Sequence, residues 1–498
     1  MIEHLRIGFE LAAQPENLLF CLLGVTLGTI IGVLPGLGSS SGIAILLPLV
    51  LTMDPLPALI MLAGVYYGCE YGGTICSVLL GVPGEGASIV TVIEGHKMAL
   101  KGLAGQALAI AAVGSFVAGT ISIVALSIAA PVFADLAINF GSPEMFALMV
   151  LGLVTVAGLV GTSRAKGYAM AAMGATLAMV GLDPVSGTPR FTLGLSELHF
   201  GLTLIAVVIG MVAFSELITQ GAQKARPPIR SKYRDLMLSR ADLKKSRGAI
   251  GRGGTLGFLV GCLPGAGPTL STFFSYALEK KLAANKPDNE FGRGDIRGVA
   301  GPESANNAAV NGAMVPTLAL GIPGSGTTTI LLGAFIAFGI QPGPLLLERQ
   351  EELVWGLIAS FYIGNIVLLV LNLPLAPLFA AFLRIPYTYI YPVVVAIAMI
   401  AAFALNAQLS DAWIALAAGV VGFFMLRFHY PIAPAILGLI LGPLLETHLR
   451  RSLSIGVGSP KVFLEHPIAM ALFGVTALAI IAPPLIRMVR QRRAARPA

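Results

Sequence analysis

Gly28-Thr-Ile-Ile-Gly32-Val-Leu-Pro35-Gly36-Leu-Gly38 and Gly257-Phe-Leu-Val-Gly261-Cys-Leu-Pro264-Gly265-Ala-Gly267 stand 229 residues apart (28 to 257) and agree at every glycine and proline. A second pair follows in the same order, Gly81-Val-Pro83-Gly84-Glu85-Gly86 and Gly321-Ile-Pro323-Gly324-Ser325-Gly326, at an offset of 240 (81 to 321). Two matched motifs at nearly one offset predict an internal duplication. All four Pro-Gly-x-Gly runs interrupt apolar sequence. Proline removes a backbone donor and glycine loosens a helix. Unpaired backbone groups cannot face lipid, so a helix broken at membrane depth survives only inside protein or beside a watery cavity. Four breaks therefore predict four discontinuous elements meeting at a protected site. The plainer alternative is four kinked helices that only pack, and the pairing of the motifs weighs against it.

The surrounding composition fits a bilayer. Of 498 residues 56% are hydrophobic and 11% charged, with a mean hydropathy of +0.84; soluble proteins carry about 25% charged residues. Apolar runs recur from residue 17 to residue 488. At roughly 20 residues per span they predict about 10–14 membrane segments. The runs are continuous rather than alternating, which excludes an outer-membrane barrel. The expected fold is an all-α polytopic membrane protein with two homologous repeats of Pro-Gly-broken helices.

Charge divides the chain. Residues 220–253 hold ten Lys or Arg against Asp235 and Asp242, and five Arg follow Ile486 without an acid. Such clusters mark cytoplasmic segments. This places a first transmembrane repeat at 15–219, a basic cytoplasmic linker at 220–253, a second repeat with additional helices at 254–488, and a basic tail at 489–498. The formal charge of +7 arises from these clusters and carries no nucleic-acid signal. The N-terminus sets Glu3, Glu10 and Glu16 against Arg6, so the repeats start on opposite sides, which favours inversion. No cleavable signal peptide is expected, since the first apolar run reads as a retained span. The four cysteines, Cys21, Cys69, Cys76 and Cys262, read as small buried hydrophobes.

Hydroxyls flank the breaks. Ser39, Ser40 and Ser41 follow the first, Thr269 and Ser271 the third, and Thr327 and Thr328 the fourth. Each set is placed to open a new half-helix, whose N-terminus receives anions. Gly36, Gly38, Gly84, Gly265, Gly267 and Gly324 are the expected hinges, with freed carbonyls suited to a cation. A carboxylate at a helix centre costs about 2.5–3.5 kcal/mol on insertion scales, so Glu70, Glu85 and Glu303 near the breaks point to cation coordination or proton coupling. The run from Gly301 to Gly312 brings Asn306, Asn307 and Asn311. Asn307 and Asn311 share a helical face; the three amides either line a substrate cavity, the preferred reading, or hold helices together. The offset of 240 aligns them with Tyr66, Tyr67 and Tyr71. The breaks contain no Lys or Arg, so a carboxylate substrate would rest on helix ends, Ser, Thr and Asn, with a coupled cation supplying positive charge.

Other chemistries find no support. Gly36-Leu-Gly38-Ser-Ser-Ser-Gly42 lacks the spacing and βαβ context of a dinucleotide loop. No Walker loop occurs, and His96 and His199 do not cluster at metal-ligand spacing. No enzyme activity, no cofactor and no metal beyond a transported Na⁺ are expected. The rival to a carrier is an ion or anion channel using the broken helices as a filter, but the four breaks do not repeat one filter sequence.

The motifs Gly32-Val-Leu-Pro-Gly-Leu-Gly38, Tyr71-Gly-Gly-Thr74, Gly81-Val-Pro-Gly-Glu85 and Gly261-Cys-Leu-Pro-Gly-Ala-Gly267 carry a family resemblance. Gly301-Pro-Glu-Ser-Ala-Asn-Asn-Ala308, Pro316-Thr-Leu-Ala-Leu-Gly-Ile-Pro-Gly324 and Gln341-Pro-Gly-Pro344 extend it. From residue 15 to 480 the chain resembles the large membrane subunit of the tripartite tricarboxylate transporters. The resemblance implies secondary uptake of citrate-like or related organic anions across the bacterial cytoplasmic membrane. It implies Na⁺ (or H⁺) as coupling ion, and as partners a small membrane subunit and a periplasmic solute-binding protein.

Overall fold

The computed structural model describes residues 2–34, 37–138, 140–159, 163–183, 186–199, 201–220, 229, 236–382 and 408–494, with isolated residues between 383 and 407. Helix dominates. Among the described residues the strands are a two-residue antiparallel pair, Gly181–Leu182 with Pro189–Arg190. Six described helices are long and apolar enough to cross a membrane: Pro15–Val33, Ala104–Ala137, Ser142–Leu159, Glu351–Asn372, Leu409–Arg427 and Ile432–Ile455. Shorter apolar helices accompany them at Ser39–Val50, Leu204–Phe214, Gly326–Ala337 and Pro467–Ala482. This is an all-α multi-pass membrane fold. The basic stretch placed at 220–253 is helical from Arg240, where Ser239 and Asp242 form a reciprocal capping box that opens the helix Arg240–Gly261.

Packing groups Met1–Leu136 with Ile205–Phe424, and separately Ala137–Leu204 with Met425–Ala498. In the first unit the helix Pro15–Val33 lies along Pro55–Leu80. Gly24, Gly28 and Gly32 sit against the carbonyl oxygens of Met61, Val65 and Cys69, one turn apart, and a methyl on any of them would overlap backbone. In the second half of the sequence Arg240–Gly261 lies along Arg297–Leu320 in the same way: Gly253, Gly257 and Gly261 meet the carbonyls of Gly301, Ala305 and Ala309. Small residues four apart allow backbones to approach this closely, as membrane helix pairs require. Each second helix then stops at a left-handed glycine, Gly81 (φ 68°, ψ 22°) and Gly321 (φ 69°, ψ 24°), a conformation that side chains with a Cβ resist.

The second unit contains Ser142–Leu159, Arg164–Leu177, Ile432–Ile455 and Pro467–Ala494. Gly174 lies on the Ala435 carbonyl and Gly438 on that of Ala171, which draws two of its helices together. Beside the strand pair, Arg190 bonds Glu446 (2.7 Å) and Asp183 (3.2 Å), and Arg450 bonds the same two carboxylates at 2.6 Å each. His466 Nδ1 lies 2.7 Å from Glu144.

Candidate functional site

Three hydroxyl-bearing runs open helices: Ser39–Val50, Gly267–Ala283 and Gly326–Ala337. The last begins with a capping box in which the Thr328 N–H donates to Ser325 Oγ (3.1 Å) and the Ser325 N–H to Thr328 Oγ1 (2.8 Å). Breaks far apart in sequence are brought together here. Thr327 Oγ1 lies 2.8 Å from Ser39 Oγ and 3.1 Å from Ser40 Oγ, so the first and fourth breaks share a hydroxyl cluster. Tyr66 OH reaches Ser325 Oγ at 3.1 Å, adding a phenol from the Pro55–Leu80 helix. Thr269 approaches Gly86 of the second break, close enough that a Cβ there would meet Thr269 Oγ1 at 2.9 Å.

Two of the acidic residues, Glu70 and Glu85, meet at the same hydroxyl cluster. Ser39 Oγ is 3.3 Å from Glu70 Oε1 and 3.3 Å from Glu85 Oε2. Glu70 is 2% exposed. Glu85 packs over Gly73, where a Cβ would lie 3.0 Å from its Cγ. Glu303, fully buried, accepts from the hydroxyls of Thr74 (2.6 Å) and Thr91. Gly38, Gly84, Gly265, Gly267 and Gly324 all lie in the breaks or at their helix starts. Gly84 and Gly324 abut the backbones of Gly73 and Ala313, while Gly265 and Gly267 have positive φ. Gly36 lies outside the described residues.

The three asparagines separate. Asn307 donates to Ser115 Oγ at 2.7 Å. Asn311 donates to Ser122 Oγ (2.7 Å) and accepts from the Tyr67 hydroxyl. The Asn311 amide is thus fully bonded to neighbouring helices, while Asn307 Oδ1 stays buried without a partner. Asn306 is fully buried, and neither its Nδ2 nor its Oδ1 has a partner. Ser271 is buried and donates to its own helix at Gly267 O (2.9 Å); Ser41 is buried within the first turn of its half-helix.

One group escaped the sequence reading. The segment Val92–His96 widens into a π-turn, and the fully buried Glu94 there accepts from Tyr276 OH (2.8 Å) and from the N–H groups of Gly292, Gly294 (2.7 Å) and Asp295 (3.0 Å). It fastens the second break's continuation to the loop before Arg297–Leu320. A lone Glu in Ile-Glu-Gly-His offers no sequence signal of this; only its π-turn, frequent at functional sites, marks it. From the start of that helix Arg297 bonds Asp295 of the loop at 2.7 Å.

Residues 18–437 match the tripartite tricarboxylate transporter TctA family. The chain belongs to that family. Membership makes it the large membrane subunit of a tripartite transporter, which works with partner subunits. It is 44% identical over 494 residues, 99% of this chain and 98% of the relative, to an uncharacterized 52.8 kDa protein of the TAR-I ttuC' 3' region of Agrobacterium vitis. A second relative, an uncharacterized protein of the TAR-II ttuC' 3' region of the same organism, is 44% identical over 237 residues, 48% of this chain and 97% of that protein. No solved structure matches.

Proposed function

We propose that this chain carries tricarboxylate or related organic anions inward across the bacterial inner membrane, with the substrate held where the broken helices meet. The contact between Ser39 and Thr327 supports this reading most directly. Two half-helix starts bring the hydroxyls of Ser39, Ser40 and Thr327 together, and helix N-termini favour an anion; no Lys or Arg belongs to the breaks. Asn306, with both amide atoms unpartnered, adds a donor and an acceptor beside them.

Transport is coupled to a cation gradient, Na⁺ first among the candidates. A small membrane subunit assembles with the chain, and a periplasmic solute-binding protein delivers substrate. The matched order of elements in the two halves supports a duplicated carrier in which the broken elements expose the site alternately to each side. Uptake of labelled citrate and a panel of other organic anions, measured with each partner left out in turn, tests this reading. Saturable uptake that needs the gradient and the binding protein is expected; uptake indifferent to both would remove it.

A further inference from the structure

We propose that Glu70 and Glu85 form one site for a single small cation, a proton or Na⁺, seated between their carboxyls at the crossing of the first, second and fourth breaks. This rests on the transport reading above and assigns the coupling ion to named atoms.

The geometry leaves a positive charge missing. Glu70 comes from the Pro55–Leu80 helix and Glu85 from the second break, and a single hydroxyl, that of Ser39, touches both carboxyls. Ser39 Oγ, 3.3 Å from an oxygen of each, has one proton and can donate to only one of them at a time. The groups that face the pair are Tyr66, Cys69, Ser39, Asn306 and, beyond Glu85, Glu303. Among the described residues neither carboxyl is paired with a Lys, Arg or His. Two adjoining carboxylates, Glu70 buried and Glu85 part-buried with its Oε1 shut off from solvent, cannot both remain ionised without a compensating charge.

The unpartnered atoms mark where that charge would sit. Glu70 Oε2 and Glu85 Oε1 are buried without a hydrogen-bond partner, as are both polar atoms of Asn306, a neighbour of Glu70. Native structures leave few such groups, and each asks for an unseen ion or water. Oxygens of two carboxylates, an amide and the Ser39 and Thr327 hydroxyls form a hard-donor set for a small cation, and a proton would need only the two carboxyls. In the proton case the only new bond is O–H, and the proton is drawn from solvent. Filling the site cancels one unit of the pair's negative charge, which lets an anion approach the hydroxyl cluster bridged by Thr327.

The test uses the purified full chain and needs no transport, so its failure is separable from failure of the transport reading. Melting is followed in detergent against Na⁺ at fixed alkaline pH, with K⁺ or choline at equal ionic strength as control, and against pH without Na⁺. Difference infrared spectra record carboxyl bands under the same two changes. Glu70→Gln and Glu85→Gln each imitate the neutralised pair. The expected result is a cation-specific rise in melting temperature and a carboxyl difference band in the wild type, both lost in each variant. A Na⁺-specific shift identifies Na⁺ as occupant; a shift and C=O band following pH alone identify a proton. A wild type indifferent to both, or variants that keep the wild-type dependence, overturns the proposal. If a variant does not fold, the wild-type infrared spectrum decides alone: no carboxyl band on either change refutes it.

Discussion

Replacing Thr327 by valine removes one hydroxyl and keeps the side chain's shape. That hydroxyl bridges Ser39 at 2.8 Å and Ser40 at 3.1 Å. Each neutral hydrogen bond contributes about 0.5–1.5 kcal/mol net, so the bridge between the first and fourth breaks accounts for about 1–3 kcal/mol, roughly 5- to 150-fold in an equilibrium. Ser39 retains two carboxyls as acceptors, so the variant should still fold and insert. The loss should fall on the site instead. Initial rates of substrate uptake in proteoliposomes, normalised to the amount of inserted protein, should show kcat/KM lowered within that range, with Thr327→Ser close to wild type. Wild-type uptake by Thr327→Val would refute the claim that the bridged breaks build the substrate site.

Four further outcomes follow from the packing and the charges. Asn306→Ala should depress uptake while leaving melting nearly unchanged, because neither amide atom makes a well-formed hydrogen bond to the protein; unaltered uptake removes it from the site. Asn311→Ala should instead lower the melting temperature, since it strands the Tyr67 hydroxyl in a buried position at a cost of about 1–3 kcal/mol; a stability equal to wild type would contradict this. Gly28→Val and Gly257→Val should each abolish or strongly reduce folded protein by fluorescence-detected size exclusion, because a side chain at either meets the backbone of Val65 or Ala305. Burial pushes the Asp295 carboxyl up, but the Arg297 guanidinium and the N–H groups of Arg297 and Glu290 outweigh it and hold it below its ordinary value. A depressed carboxyl stabilises above its unfolded pKa of about 3.9 and loses that contribution as pH falls through the folded value. Hydrogen exchange across residues 285–296 should therefore be steady at neutral pH, after correction for intrinsic rates, and rise only on the acid side of that value, with Asp295→Asn raised throughout.

What could be read from the chain and what could not divide along local and non-local lines. The breaks are local: proline and glycine fix where a helix must stop, so the starts at Ser39, Gly267 and Gly326 are legible in the sequence. The left-handed stops at Gly81 and Gly321 follow from the same rule. The glycines at 28, 32, 257 and 261 are visible as motif letters, but their partners on the next helix are not. Partner choice across hundreds of residues is hidden. Nothing in the spacing of three asparagines tells that the Asn307 and Asn311 Nδ2 groups turn to Ser115 and Ser122 while neither amide atom of Asn306 finds a hydrogen bond. Glu94 is the same case, since all its donors lie at or after Tyr276. The compact units also cut across the linear halves, because Ala137–Leu204 packs with Met425–Ala498 rather than with its sequence neighbours.

The most direct test of the central claim is uptake of labelled organic anions, citrate first, into proteoliposomes holding this chain and its small membrane partner. A Na⁺ gradient is imposed and the solute-binding protein is added outside or withheld. The account predicts saturable uptake that requires both the gradient and the binding protein. Rapid, non-saturating flux that needs neither would contradict it and make the broken helices the lining of a channel.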